Sequence, residues 1–538
     1  MTVFIGGAWP YANGSLHIGH IAALLPGDIL ARYFRLKGER VCYVSGSDCH
    51  GTPIRIRAKN EGVSPESIAS YYHGEFAYCF EKLGFSYDLY NRTNDEFHKE
   101  FVRDFLIDLR DKGYLHKKTV EQAYCGTCRQ FLPDRFVLGR CPHCGGNARG
   151  DQCDTCGSLL EPFQLHGRKC GICGEIPEFR PSEHFFLALP ELEAAISQYV
   201  NAVTGWRTNA LHLSRRYIEE GLRDRAVTRD LDWGIDAPFY GCEDKKVYVW
   251  VDAVLGYLSA SLKWALAQGK DWDEIWSGNS THYYVHGKDN IPFHSVILPA
   301  LLMAAGGLHL PDRIISSEYL TLEGRKISTS GNWAVWAPYL LEHYNPDSIR
   351  YFFTVNGPEK RDTDFSWREF INSHNGELLG AYGNFVNRSL VFIHKYFEGK
   401  IPAGTCDSQI QAALQDLYPQ AGKLIAEGSF KEAIENIFRF IRSANKFFDG
   451  QQPWVSVKED PGKCGNTLYT CVQAILNLSV LLEPFLPFSS RKILKMLNAT
   501  GAAWGYSEIG PGSAIGPVEI LFDRIDKKVI EEETQRLR

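Results

Sequence analysis

Residues 2–8 form an apolar, partly β-branched run, and residues 9–15 hold the turn formers Pro10, Asn13 and Gly14. Across residues 16–36 apolar positions recur at helical spacing, perturbed by Pro26, and Gly38 can end that helix. Residues 41–44 read as a second short strand. A strand, a crossover helix and a strand imply a parallel sheet with helices packed on it. Strand signals return at residues 246–250 and 281–285, and an apolar strand-like run spans 313–322. The stretch between, residues 114–182, is rich in Cys, Gly and Pro and poor in helical periodicity, so it reads as an insertion. From about residue 372 the pattern is almost wholly helical, which predicts a separate bundle.

Size and charge narrow the class. A chain of 538 residues with 44% hydrophobic content buries a large core and exceeds one ordinary domain. No uninterrupted apolar stretch of about 18 residues marks a membrane span. The start, MTVFIGGAWPYANG, lacks the basic and apolar segments of a signal peptide, which predicts a cytoplasmic protein. A net charge of -6 excludes a globally basic nucleic-acid binder but says nothing of a local groove. Arg55, Arg57 and Lys59, or Arg215, Arg216, Arg223 and Arg225, are candidates for local basic surface or simply for solvated faces.

Eight of the 15 cysteines fall in CxxC pairs: Cys125/Cys128, Cys141/Cys144, Cys153/Cys156 and Cys170/Cys173. Without a secretory signal, such pairs favour metal over disulfides. Eight thiolates suffice for two tetrahedral zinc sites, each closed by four sulfurs and therefore structural. Gly126, Gly145, Gly157, Gly171 and Gly174 suit tight turns beside them. Spacing alone allows sequential or nested pairing.

Two further motifs suggest phosphate chemistry. His17-Ile18-Gly19-His20 opens the first helix, with both imidazoles on one face and Gly19 leaving the backbone open to a flat base or ribose. A helix N-terminus favours anions. Far downstream, Gly324-Arg325-Lys326-Ile327-Ser328-Thr329-Ser330 combines glycine, lysine and hydroxyls suited to closing over a triphosphate. Either motif alone is unremarkable. Together they resemble the paired signatures of class I aminoacyl-tRNA synthetases, the HIGH tetrapeptide in full and the KMSKS loop in part. The family's second loop lysine falls at Thr329.

The surrounding residues are similar to the methionyl-tRNA synthetase family: AWPYANGSLH at 8–17, GSDCHGTP at 46–53, YVWVDA at 248–253 with Gly256 and Tyr257, and GKDNIPFH at 287–294. A thioether is uncharged and polarizable and packs well against aromatic rings, so its pocket should be aromatic. The resemblance implies that Trp9, Tyr11, Trp250, Ala253, Tyr257 and His294 line the methionine pocket and that Asp48 holds the α-ammonium group. It implies that His17, His20 and Lys326 serve catalysis, and that Gly19, Gly287, Asp289, Lys326 and Ser328 contact ATP with its Mg. Relatives with one zinc keep the inner cysteine pairs. This implies a nested arrangement, Cys141, Cys144, Cys153 and Cys156 on one ion and Cys125, Cys128, Cys170 and Cys173 on the other. Asn384 and Arg388, one helical turn apart, and Trp454, at a bend between helices, would contact the anticodon by stacking and hydrogen bonds to splayed bases.

The resemblance implies an α/β fold: a Rossmann-like parallel-sheet catalytic domain in two halves, 1–113 and 239–315, split by a zinc-knuckle insertion at 114–238. The KMSKS-type loop and stem-contact region would occupy 316–370 and an all-α anticodon-binding domain 371–538. The implied reaction converts methionine and ATP to methionyl-adenylate and transfers methionine to the 3′ end of initiator and elongator tRNA(Met). No dimerising module is recognised, which predicts a monomer. Other readings explain less. Valyl, isoleucyl and leucyl enzymes carry a long editing insertion, and a cysteinyl enzyme places zinc in its pocket. A nucleotidylyltransferase lacks the Lys326 loop and the helical domain, and a zinc-ribbon RNA-binding module accounts only for the cysteines.

Overall fold

The computed structural model describes residues 1–538 apart from 151, 152, 154, 157–159, 277, 330, 502 and 538, and apart from the side chain of residue 135. Gly157 and Ser330, singled out above, lie outside the described residues. The centre of the molecule is a parallel sheet. Strand β1 (Thr2–Gly7) pairs with β2 (Arg40–Ser47) on one side and β4 (Ser280–Gly287) on the other; β3 (Leu89–Arg92) and β5 (Arg313–Ser317) form the edges. The order is β5-β4-β1-β2-β3, with every pairing parallel. Alternate residues of β1 serve opposite faces. Val3 and Ile5 join the core beneath α1 (Ile18–Leu36), whereas Phe4 joins the core beneath α4 (Val249–Gln268). Burial on both faces explains why these strands are continuously apolar rather than alternating. Helix α2 (Thr52–Glu61) follows β2 in the chain, and α3 (Glu96–Asp111) follows β3.

Helix α1 stays continuous through Pro26. Its buried Asp28 meets Arg32 at 2.8 Å and the wholly buried Arg350 at 2.7 Å. Arg350 also donates to the carbonyls of Pro484 and Phe485, both at 2.8 Å, which ties the C-terminal bundle to the sheet domain. The insertion is a long antiparallel hairpin, Leu115–Cys125 against Glu178–Leu187, with the cysteine lobes at its tip.

Two expectations are corrected and a third is qualified. The signal at 246–250 yields only a two-residue strand, Lys246–Val247, because α4 begins at Val249; its Trp250, Ala253 and Tyr257 recur at helical rather than alternating spacing. The run at 313–322 breaks after Ser317, and Leu320–Leu322 joins a separate sheet with Arg325–Lys326 and Thr363–Phe365. The C-terminal domain is helical, as expected, except for one stretch. After helix Pro487–Met496 the described residues form no helix or strand until helix Val529–Arg536. Gly501, Gly505, Gly510, Pro511, Gly512, Gly516 and Pro517 deprive this strap of helix-forming residues. Side-chain amides hold it instead: Asn375 exchanges two hydrogen bonds with the backbone of Ile525, at 2.8 and 3.0 Å. Among the described residues no helix is long and apolar enough to cross a membrane.

Candidate active site and binding surfaces

The candidate residues follow the carboxyl ends of β1, β2 and β4, the usual ligand position in such sheets. His17 is the N-cap of α1. Its Nδ1 accepts the Gly19 N–H at 3.1 Å, while His20 Nδ1 accepts the His17 N–H at 3.1 Å. These reciprocal bonds place the proton of each neutral ring on Nε2. Burial lowers the His17 pKa to about 4; burial, and then the neighbouring His17, hold His20 well below the ordinary histidine range. At neutral pH the pair therefore offers two uncharged N–H donors. A Cβ on Gly19 would meet His17 Cε1 at 2.8 Å, so this position needs glycine.

Both phosphate motifs meet here. The Ile18 N–H donates to Val335 O at 3.0 Å and the Ala337 N–H to Leu16 O at 2.7 Å, while Ile327 faces Gly19. Ser328 and Trp333 pair across the loop, their N–H groups bonding each other's carbonyls at 3.0 and 2.9 Å. Lys326 is exposed and has no ion-pair partner among the described residues. Arg325 is engaged elsewhere, its guanidinium 4.0 Å over the Trp333 ring.

Asp48 follows β2 and bridges to Tyr11 through the backbone. It is 3% exposed, yet among the described residues its carboxylate receives only the His50 N–H, at 3.3 Å. Burial, followed by the charge of Asp252, pushes its pKa well above the carboxylate range. Trp250, Ala253 and Tyr257 form one stripe of α4. The Tyr257 O–H donates to His294 Nε2 at 2.8 Å, because His294 Nδ1–H is committed to Asn290 O at 2.8 Å. Burial lowers His294 to about 4, so this wall is neutral. Trp9 lies edge-on to Tyr257, 6.5 Å between centroids, and packs on Gly46 and Gly256, where any Cβ would strike its indole. Gly287 borders open space, and exposed Asp289 accepts the Tyr319 O–H at 2.5 Å. The structure thus gathers Trp9, Tyr11, Asp48, Trp250, Ala253, Tyr257, His294, Gly287 and Asp289 at the strand ends.

Sequence reasoning missed the layer beneath Asp48. Asp252 Oδ2 lies 2.7 Å from His50 Nδ1, and Oδ1 lies 2.7 Å from His98 Nε2. His98 Nδ1 meets Ser259 Oγ at 2.7 Å. His50 and Asp252 stood inside the quoted motifs, but a contact across 202 positions left no mark in either.

The cysteines form the nested sets Cys125, Cys128, Cys170, Cys173 and Cys141, Cys144, Cys153, Cys156, with sulfurs within 4.8 Å of one another. Cross-pair sulfur distances of 3.4, 3.9, 3.8 and 3.5 Å leave all these thiols free of disulfides. A tetrahedron with Zn–S bonds near 2.3 Å has edges of about 3.8 Å, so zinc fits both sets. Backbone N–H groups of Cys128, His143, Cys156 and Ile172 point at knuckle sulfurs at 3.4 Å, as thiolates require. The residue after a pair takes the left-handed backbone conformation three times, at Gly145, Gly174 and Arg129 (φ 52°). Gly126 and Gly171 do not, so the glycine expectation holds only in part.

In the bundle, Arg388 bonds Asp449 at 2.6 Å and Asn445 Oδ1 at 2.8 Å and covers the Phe448 ring at 4.3 Å. Trp454, 49% exposed, touches the same ring at 6.2 Å, just after Gln452 bends the chain with φ 49°. Exposed Asn384 lies one turn before Arg388. The three share one surface. The basic runs are paired in part: Arg55 meets Asp232 at 2.6 Å, Arg57 meets Glu61 at 2.6 Å and Arg216 meets Glu220 at 2.8 Å, while Lys59, Arg215 and Arg223 are exposed without an ion-pair partner among the described residues.

Comparison with known proteins gives the family of the chain. Residues 3–390 match the model of class I tRNA synthetases (M), and residues 401–538 match the anticodon binding domain of methionyl tRNA ligase. The chain is 56% identical over 538 residues to Methionine–tRNA ligase 1 of Alkaliphilus oremlandii (strain OhILAs), covering 100% of both. It is 56% identical over 540 residues to Methionine–tRNA ligase of Bacillus mycoides (strain KBAB4), covering 100% of this chain and 99% of that one. Its fold is similar to that of Mycobacterium tuberculosis methionyl-tRNA synthetase bound by methionyl-adenylate, with a TM-score of 0.81 at 24% identity, over 97% of this chain and 100% of that one.

Proposed function

This chain belongs to the methionyl-tRNA synthetases of class I, and we propose how its residues share the work of activating methionine and loading it onto tRNA. The observation that carries the assignment is Asp48: a buried carboxylate with no cationic partner among the described residues, beside a neutral aromatic wall. That combination suits an α-ammonium group attached to an uncharged side chain. The thioether packs against Trp9, Tyr11, Trp250, Ala253, Tyr257 and His294. The Tyr257 O–H is committed to His294 and so is not free to reward a polar isostere.

In the first step the methionine carboxylate attacks the α-phosphate of ATP and pyrophosphate leaves; Mg bound with ATP supplies charge neutralisation. His17 and His20 donate Nε2–H bonds to phosphate oxygens, Lys326 balances charge on the leaving group, and Ser328 donates from the same loop. Gly19 admits the nucleotide, and Gly287 and Asp289 hold its ribose. No side chain acts as a covalent nucleophile, so catalysis is positioning and electrostatic stabilisation. In the second step the terminal adenosine 2′-hydroxyl attacks the mixed anhydride and releases AMP. Asn384, Arg388 and Trp454 read the anticodon, and the zinc-bearing hairpin shapes access for the acceptor end. The domain limits given above, a monomeric state, cytoplasmic residence and service of both initiator and elongator tRNA(Met) belong to the same proposal. ATP–pyrophosphate exchange measured across all amino acids tests it. Methionine should support the fastest exchange and homocysteine a weaker one, since one methyl group is worth only about 1–3 kcal/mol in an apolar pocket. Fastest exchange with leucine, valine or cysteine refutes the assignment.

A further inference from the structure

We propose that Asp252 is a positioning residue for the substrate's α-ammonium group: clamped between His50 and His98, it keeps a fixed negative charge behind Asp48 and reserves Asp48 for an incoming cation. The inference rests on the assignment of that ammonium to Asp48.

His50 touches both carboxylates. Its backbone N–H reaches Asp48 Oδ1 at 3.3 Å, and its ring Nδ1 lies 2.7 Å from Asp252 Oδ2. The second Asp252 oxygen meets His98 Nε2 at 2.7 Å, and His98 is braced by Ser259 at 2.7 Å, two turns along the same helix as Asp252. Asp252, His98 and Ser259 are completely buried, and no lysine or arginine pairs with either carboxylate among the described residues. A carboxylate that receives two imidazole N–H bonds is stabilised as the anion. Asp48, with one long N–H bond, is not. The two oxygens of Asp252 are thus satisfied within the protein, and those of Asp48 are left for a ligand.

The other ionisable groups around this pair do not replace that ligand. Cys49 and His50 come from the end of β2, His98 comes from α3, and the Tyr11 phenol comes from the loop after β1. Arg92, from β3, is turned to Ser70 at 3.2 Å and Glu66 at 4.0 Å. On the insertion side, Trp233 spends its indole N–H on Cys49 O at 2.7 Å.

Two neighbouring buried carboxylates without a cation share their charge unequally, so the clamped one stays ionised and the other takes a proton. Burial raises Asp48 well above the carboxylate range and Asp252 raises it further, whereas His50 and His98 hold Asp252 below that range against its burial. The empty site therefore carries a proton on Asp48. An arriving ammonium displaces it: the Asp48 carboxylic acid releases one proton to solvent, and the resulting carboxylate pairs with the ammonium. Methionine binding is thus coupled to proton release, and its affinity rises with pH until Asp48 is already ionised in the free enzyme.

The test is calorimetric titration of the full-length, zinc-loaded enzyme with methionine, without ATP, across a pH series in buffers of different ionisation enthalpy. The wild type should release a proton on binding. In Asp252→Asn the release step should move to lower pH, and above that step affinity should fall about tenfold or more, the change that one unit of altered electrostatics produces. The KM for methionine should rise more than kcat falls. A folded Asp252→Asn enzyme with unchanged proton release overturns the proposal. His98 supplies a second route, in case Asp252→Asn fails to fold. His98→Gln keeps an N–H for Asp252 and should retain affinity within about threefold, whereas His98→Leu should lose about tenfold. Equal losses in the two His98 variants would make His98 a packing residue and overturn the proposal. Asp48→Asn separates the inference from its premise: unimpaired methionine binding by that variant refutes the Asp48 assignment itself.

Discussion

Replacing Lys326 by alanine tests how one loop lysine serves where relatives place two. Thr329 occupies the second position and carries no charge. Lys326 is exposed, with no ion-pair partner among the described residues, so its removal breaks nothing in the folded protein and the loss falls on the reaction. A unit charge 4 Å from a developing anion contributes about 1 kcal/mol in bulk water and about 4 kcal/mol at an effective dielectric of 20. A loop closing over the triphosphate works toward the second limit. The expected penalty is therefore about 2.7–4 kcal/mol, or 10²–10³ in rate, the range for removing one oxyanion donor. Arg325 is the nearest substitute, but it lies 4.0 Å over Trp333, and leaving that ring costs about 0.5–1 kcal/mol at an exposed site. That cost is small enough for partial rescue, so the double variant Lys326→Ala/Arg325→Ala should be slower than Lys326→Ala, while Arg325→Ala alone should be nearly normal. The assay is single-turnover adenylate formation with methionine affinity measured alongside. A Lys326→Ala rate within about threefold of wild type refutes the reasoning.

Three further outcomes are expected. Metal analysis should find two zinc ions per chain in the wild type and one in Cys125→Ser, because the nested sets share no ligand; loss of both would show that the lobes fold as one unit. Trp454→Ala should remove about 1–3 kcal/mol of base stacking and cripple aminoacylation while sparing methionine-dependent exchange, and equal losses in both assays would make Trp454 a packing residue. Arg350→Met should destabilise the protein to urea by about 3 kcal/mol, the low end for breaking a buried pair because Arg32 and Ser86 still hold Asp28; a change under about 1 kcal/mol would refute that account.

Much of this protein was legible in its sequence because the determining features are local. The apolar run of β1, the helix opening at His17 and the four CxxC pairs each depend on residues a few positions apart, and each formed as expected. Where two local patterns compete, sequence misleads. Residues 246–250 are apolar enough for a strand, but their continuation into Trp250, Ala253 and Tyr257 made helix the lower-energy choice once α4 could bury that stripe. The strap after Met496 was hidden for a related reason: its glycines and prolines signal no helix, and its course is fixed by distant contacts, among them those with Asn375, Gln473, Asn477, Leu36 and Gly399.

The pairing of cysteines and the electrostatics of the site were decided by tertiary structure alone. Spacing permits sequential and nested zinc sets equally; the hairpin of residues 115–125 and 178–187 chooses the nested one by bringing Cys125 and Cys128 beside Cys170 and Cys173. Nor can composition reveal that Arg325 is occupied by Trp333, or that His50, His98 and Asp252 converge behind Asp48 from three separate elements. Residue type sets which charges and donors exist, and local spacing sets which helix or strand carries them. Whether a carboxylate keeps its charge depends on desolvation and on partners hundreds of positions away, and only the packed fold supplies those.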